Sequence, residues 1–152
     1  MLRLADNSFY RMMLVYMRKV HPLNTITVEC LIKTGRLGAF DGIGYDEVGA
    51  SFIKGALIAN INDDILEFKQ IYDPESVFSR GADWSVKHTL TFYQSGGWSG
   101  VWQIEDEKEN ESGQCFASVV ISSSDRPFSM ELMEYYKSWD NRGIRLTGVT
   151  IH

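Results

Sequence analysis

From Thr25 to about Ile121 the chain repeats one short pattern, in which apolar and polar residues alternate and Gly, Asn or Asp closes each run. A period of two puts successive side chains on opposite faces, so every run reads as a strand with one buried and one wet side. A meander of such strands leaves unpaired edges unless it closes. A barrel of about eight strands removes the edges and has an interior that side chains fill or that one small ligand occupies.

The individual runs set the faces. TITVECLI places Ile26, Val28, Cys30 and Ile32 together, and FDGIGYDEVG then breaks the alternation with Gly42, Gly44 and Gly49. SFIKGALIANI resumes it, and INDD at 61–64 reads as a hairpin turn. ILEFKQIYD aligns Leu66, Phe68, Gln70 and Tyr72 against Glu67, Lys69 and Asp73. WSVKHTLTFY aligns Trp84, Val86, His88, Leu90 and Phe92, and GWSGVWQIE aligns Trp98, Gly100, Trp102 and Ile104. QCFASVVIS supplies a further strand. The segment 73–83, with Pro and Gly and no sustained period, reads as the longest loop or a lid, and the acidic stretch 105–113 as a solvated turn.

Both ends depart from this pattern. Phe128, Leu132, Tyr135, Tyr136 and Trp139 recur at spacings of three and four behind Ser129, which predicts a short amphipathic helix capped by that serine. IRLTGVTI reads as a final strand. The N-terminal SFYRMMLVYMRKV suits a helix capped by Asp6 or Asn7 and suits a strand as well. The expected fold is therefore mainly β: residues 1–152 form one antiparallel barrel domain with a C-terminal helix, and an N-terminal helix stays open.

The order G-x-G-Y-D-x-x-G (Gly42 to Gly49), I-x-G (Ile53 to Gly55), L-x-F-K-x-x-Y (Leu66 to Tyr72) and G-x-W (Gly100 to Trp102), with a helix and strand to follow, resembles the calycin group of small barrels, lipocalins and avidins. The resemblance implies a meander barrel that holds one ligand. It carries no ligand contacts of its own.

Composition bounds the function. A chain of 152 residues, 44% hydrophobic and 23% charged, has the make-up of one globular domain. Its net charge of −5 and the lack of a Lys/Arg cluster argue against nucleic acid as a partner. No apolar run reaches the ~18 residues of a membrane span and no cleavable leader is evident, so a cytoplasmic protein is expected. Cys30 and Cys115 lie in apolar runs, too far apart in sequence for a metal or redox motif, and are expected as buried free thiols.

The chemistry-bearing residues all sit on presumed inward faces. Trp98 and Trp102 either fill a core or stack a flat ligand, with their indole N–H groups as polar handles. Gly55 and Gly100 mark where room would be found. His88 lies among apolar neighbours and needs a partner, for which Gln70 and Tyr72 are the candidates; the three together would also hold a ligand's carbonyl or carboxylate. Metal binding is disfavoured because no two ligands share a strand or helix spacing, and no cofactor is implied. Asp63 with Asp64, and Asp46 with Glu47, read as turn residues. G-x-S-x-G, P-loop and H-E-x-x-H motifs are absent.

The leading expectation is a non-catalytic barrel that binds a small apolar or aromatic molecule through Phe68, Gln70, Tyr72, His88, Trp98 and Trp102. A protein-interaction module with a filled barrel is the alternative. A barrel isomerase or cyclase using His88 and Tyr72 ranks third.

Overall fold

The computed structural model describes residues 8–18, 24–58, 64–73, 85–92, 97–105, 112–121 and 128–141. Eight strands run in chain order: β1 (Phe9–Arg18), β2 (Asn24–Thr34), β3 (Ala39–Tyr45), β4 (Ala50–Ile58), β5 (Ile65–Tyr72), β6 (Ser85–Phe92), β7 (Gly97–Glu105) and β8 (Ser112–Ile121), followed by helix α1 (Met130–Asn141). Each strand pairs antiparallel with the next, and β8 pairs back onto β1, so the sheet closes into an up-and-down barrel. Closure leaves no strand edge to solvent.

The N-terminal run is a strand. Tyr10, Met12, Leu14 and Tyr16 alternate inward along β1 and are buried, which supplies the eighth stave and joins β2 to β8. A helix there would have left the meander open. The glycine-rich FDGIGY, expected to interrupt the strands, lies within β3. Gly42 faces Ile32 across β2, and a Cβ added at Gly42 would come 2.6 Å from the Ile32 side chain, so here glycine permits the close approach of two strands.

Inward positions build one continuous core that includes Met12, Leu14, Ile32, Phe40, Leu66, Phe68, Leu90, Trp98 and Trp102. Outward positions carry Lys54, Glu67, Lys69 and Lys87 around β4 to β6. Around these three strands the wall is apolar inside and charged outside, the inverse of a lipid-facing wall. Among the described residues no helix is long and apolar enough to cross a membrane.

Helix α1 packs on the outer wall. Leu132, Tyr135 and Tyr136 cover Leu31, Ile43 and Ala50, which point outward from β2, β3 and the start of β4. Ser129 caps the helix by accepting from Leu132 N at 3.3 Å, while its own N–H donates to Glu29 Oε1 at 2.7 Å. Tyr135 donates to Asp73 Oδ2 at 3.0 Å, which ties the helix to the end of β5. Residues 61–63 of the expected hairpin at 61–64, most of the 73–83 loop, Trp84, most of the acidic turn at 105–113 and the final IRLTGVTI strand lie outside the described residues.

Candidate functional site

The lumen is apolar at one end and polar at the other. The polar end is built around the β3–β4 turn, where Asp46 N donates to Gly49 O at 3.1 Å and Gly49 takes a φ of 150° that side chains rarely adopt. Asp46 Oδ1 accepts from Val48 N at 2.7 Å and Gly49 N at 3.1 Å. That holds the turn and leaves Oδ2 pointing to the barrel. Oδ2 accepts from Tyr72 Oη at 2.6 Å and from Gln70 Nε2 at 3.4 Å. Asp46 is buried while its neighbour Glu47 is exposed. Burial raises the Asp46 pKa, and the bonds from Tyr72, Gly49, Val48 and Gln70 pull it back.

Four donors around one carboxyl group fit its ionised, acceptor-only form. The rest of the proton order follows. Gln70 must turn its NH₂ towards Asp46, and it also donates to Ser51 Oγ at 3.0 Å. Its Oε1 is then left to accept from Tyr16 Oη at 2.8 Å. Tyr16 has one proton, now committed, so the short contact between its oxygen and His88 Nε2 requires Nε2–H to donate. His88 is thereby the Nε2–H tautomer, with a bare lone pair on Nδ1.

Among the described residues Nδ1 has no hydrogen-bond partner. Burial holds the imidazole neutral, lowering its pKa from the usual 6.5 to about 3; the Phe68 and Val86 backbones offset this in part without reaching hydrogen-bond geometry at Nδ1. Phe68 stacks on one face of the ring at 4.1 Å between centroids and 10° between planes. Tyr16 lies 5.2 Å from the His88 ring and 5.8 Å from the Trp102 ring. Trp102 Nε1 and Trp98 Nε1 are likewise buried without a partner.

All six expected residues, Phe68, Gln70, Tyr72, His88, Trp98 and Trp102, are inward and buried. Their wiring differs from the expectation. His88 bonds to Tyr16, which then reaches Gln70, whereas Tyr72 bonds to Asp46. Tyr16, Asp46 and Ser51 are members that sequence reasoning missed. The alternation Tyr10, Met12, Leu14, Tyr16 was the available signal for the first, and the Asx-turn spacing D-x-x-G for the second.

The room expected beside Gly55 and Gly100 is taken. A Cβ at Gly100 would overlap the Thr89 carbonyl oxygen and lie 2.8 Å from Leu90 Cα; one at Gly55 would overlap the Glu67 carbonyl oxygen and Phe68 Cβ. Tight coiling of the barrel wall brings the neighbouring strand's backbone into that space. Cys30 and Cys115 are free and buried, and burial pushes the Cys115 thiol up to about 12 and the Cys30 thiol well above its ordinary value. Both are therefore poor nucleophiles. Among the described residues no group of three or more His, Cys, Asp or Glu side chains could hold a metal ion.

Outside the lumen, a groove of about 370 Å³ crosses the outer wall of β4 to β6, bordered by Lys54, Ala56, Ile58, Glu67, Lys69 and Lys87. Lys54, Lys69 and Lys87 stand directly opposite one another on the three strands.

No family model, curated protein or solved structure matches this chain.

Proposed function

We propose that the protein is a non-catalytic barrel that binds one small apolar or aromatic molecule in its lumen. The observation that carries this is the set of three buried inward atoms, His88 Nδ1, Trp98 Nε1 and Trp102 Nε1, that no group among the described residues satisfies. Leaving each of them bare costs about 1–3 kcal/mol, so a molecule that meets them recovers that free energy. Small barrels of the calycin type hold ligands in this place, which agrees with the reading. The two free thiols suit a reducing compartment such as the cytoplasm.

Binding to the folded state alone raises the melting temperature. Retinal, indole and hexadecanoate, each titrated separately while tryptophan fluorescence and melting are followed, test the proposal. At least one should quench the indoles and raise the midpoint in a saturable way. A flat response to all three would sink the reading.

The alternative, an interaction module with a filled barrel, draws on the outer wall of β7 and β8. Val101, Phe116 and Val120 are 57%, 39% and 45% exposed there, with no charged residue among the outward positions from Ser99 to Gln103 and from Ser112 to Val120. A flat response in the titrations would bring this reading forward.

A further inference from the structure

The outer wall of the barrel is divided by charge. One cross-strand row, Lys33, Asp41, Lys54, Lys69 and Lys87, crosses β2 to β6 with a charged residue at every position. Round the other side, from β6 through β7, β8 and β1 to β2, the row Thr91, Ser99, Phe116, Val15 and Thr27 has none. The row beside it, Thr89, Val101, Gln114 and Met17, has none either. In a chain that is 23% charged this half of the wall is depleted of charge, and Val101, Phe116 and Val120 are exposed on it. Helix α1 covers a different part, over Leu31, Ile43 and Ala50. An aromatic anchor among apolar neighbours, with neutral polar residues around it and no charge, is the composition of the centre of a protein contact.

We infer that a second copy of the chain packs on this wall, as a two-fold dimer centred on Phe116; the inference is independent of what the lumen holds. Charge selects the partner. Each copy carries a net −5, so two copies repel through any charged face they present to each other. A two-fold axis lying in the contact also sets each residue on it against its own copy. The lysines of the charged half would then oppose lysines, whereas the two uncharged rows bring together only rings, aliphatic groups, hydroxyls and amides. A strongly acidic or basic partner is steered by charge of the opposite sign, which this half of the wall lacks. Because the sheet is closed, two copies meet through the side chains of the wall and not through a strand edge. Strands β7, β8 and β1 lie about 4.8 Å apart and outward positions repeat about every 7 Å, so the flattest part of the wall measures roughly 15 Å by 20 Å. That is less than the ~800 Å² each partner buries in a stable pair, which sets this dimer as a weak, reversible one, half-formed at about 10–100 µM.

Sedimentation equilibrium of the full chain from about 5 to 500 µM tests it, and should show a reversible passage from monomer to dimer. Added salt should tighten the pair slightly, because the net charge is what opposes it. Phe116→Glu and Phe116→Lys should each weaken pairing at least ~10-fold, since each sets like charges together on the axis. An equimolar mixture of the two variants should pair again, Glu against Lys, which only a self-facing contact allows. Lys54→Glu, in the charged half, shifts the net charge twice as far as Phe116→Glu and should change pairing by less than ~2-fold at ~0.15 M salt. If a Phe116 variant loses the circular dichroism of the wild type, Val101→Glu and Val101→Lys take its place. A wild type still monomeric at the highest concentration, variants that pair as it does, or a mixture that stays monomeric would each overturn the inference. So would a monomer that sediments with phosphatidylcholine vesicles and loses that binding on Phe116→Glu, which would assign the wall to a lipid surface.

Discussion

The two ends of the lumen are built from the same alternating strands yet are held by different physics. Towards the β2–β3 turn, Met12, Ile32, Phe40, Leu66 and Leu90 pack apolar surface against apolar surface. Towards the β3–β4 turn, Tyr16, Asp46, Ser51, Gln70, Tyr72 and His88 are wired through hydrogen bonds with a buried carboxylate at one end and an empty imidazole nitrogen at the other. A core whose only task is stability is served as well by apolar residues, because satisfied buried polar groups contribute little net free energy and half-satisfied ones cost. The polar end therefore has the character of a site and the apolar end that of a foundation.

The largest expected effect is in the foundation. Leu66 and Leu90 are fully buried, so Leu66→Ala or Leu90→Ala should destabilise the protein by about 2–5 kcal/mol in urea unfolding. The loss should be the same at pH 7.5 and pH 5.5. A pH-dependent loss would mean that the two ends are coupled, contrary to the comparison.

Acid sharpens it. The folded pKa of His88, about 3, lies below the unfolded 6.5, so the unfolded chain binds the extra proton first. Stability from this group is full above pH 6.5 and falls as pH drops towards 3, by about 1.4 kcal/mol per pH unit, or ~2 kcal/mol at pH 5. Asp46 works in the opposite sense: its folded pKa is raised from 3.8, so its term favours the folded state as pH falls through that raised value towards 3.8. Urea midpoints at pH 7.5 and 5 should show a drop that His88→Gln largely removes. A His88→Gln profile parallel to wild type would show that His88 is not the group responsible.

Tyr16→Phe should cost about 1–3 kcal/mol, since it strands both the His88 Nε2–H and Gln70 Oε1 in a dry interior. It also releases the tautomer. The ¹⁵N shifts of His88 should then lose the sharp distinction between a protonated Nε2 and a bare Nδ1; an unchanged pattern would mean that another group sets it.

Much of the foundation was legible in the sequence, because period-two alternation depends only on neighbours along the chain. Leu66, Phe68, Gln70 and Tyr72, then Val86, His88 and Leu90, then Trp98 and Trp102 fall on the faces that alternation assigns. β1 was ambiguous because Asp6 or Asn7 offers a helix cap and Phe9, Met13, Val15 and Met17 make the second face apolar as well, and only pairing with β2 and β8 decides it. The wiring of the site was not legible. Asp46 meets Gln70 and Tyr72 from positions 24 and 26 residues away, and the D-x-x-G turn around it looks the same whether its second oxygen faces water or the lumen. Nor could alternation show that Gly55 and Gly100 sit under a neighbour's backbone, since that depends on how tightly the wall coils.

The smallest effect comes from the outer wall, which is the reference for both ends because water screens it. Lys69 has Lys54 opposite on β4 and Lys87 opposite on β6. Like charges directly across a sheet are unfavourable by about 0.2–1 kcal/mol. Among the described residues Lys87 pairs with Glu67 at 3.9 Å, but that pair is half exposed, at 47% and 42%, and contributes little. Lys54→Gln, which removes the like charge opposite Lys69, should therefore raise stability by a few tenths of a kcal/mol at low salt. The gain should vanish in 1 M NaCl, where the screening length shrinks to about 3 Å, whereas the cost of Tyr16→Phe in the lumen should persist. Urea unfolding of both variants at 20 mM and 1 M salt reads the contrast directly. Equal salt sensitivity of the two would mean that solvent reaches the Tyr16–His88 contact, and the dry, directional site inferred for the lumen would fall.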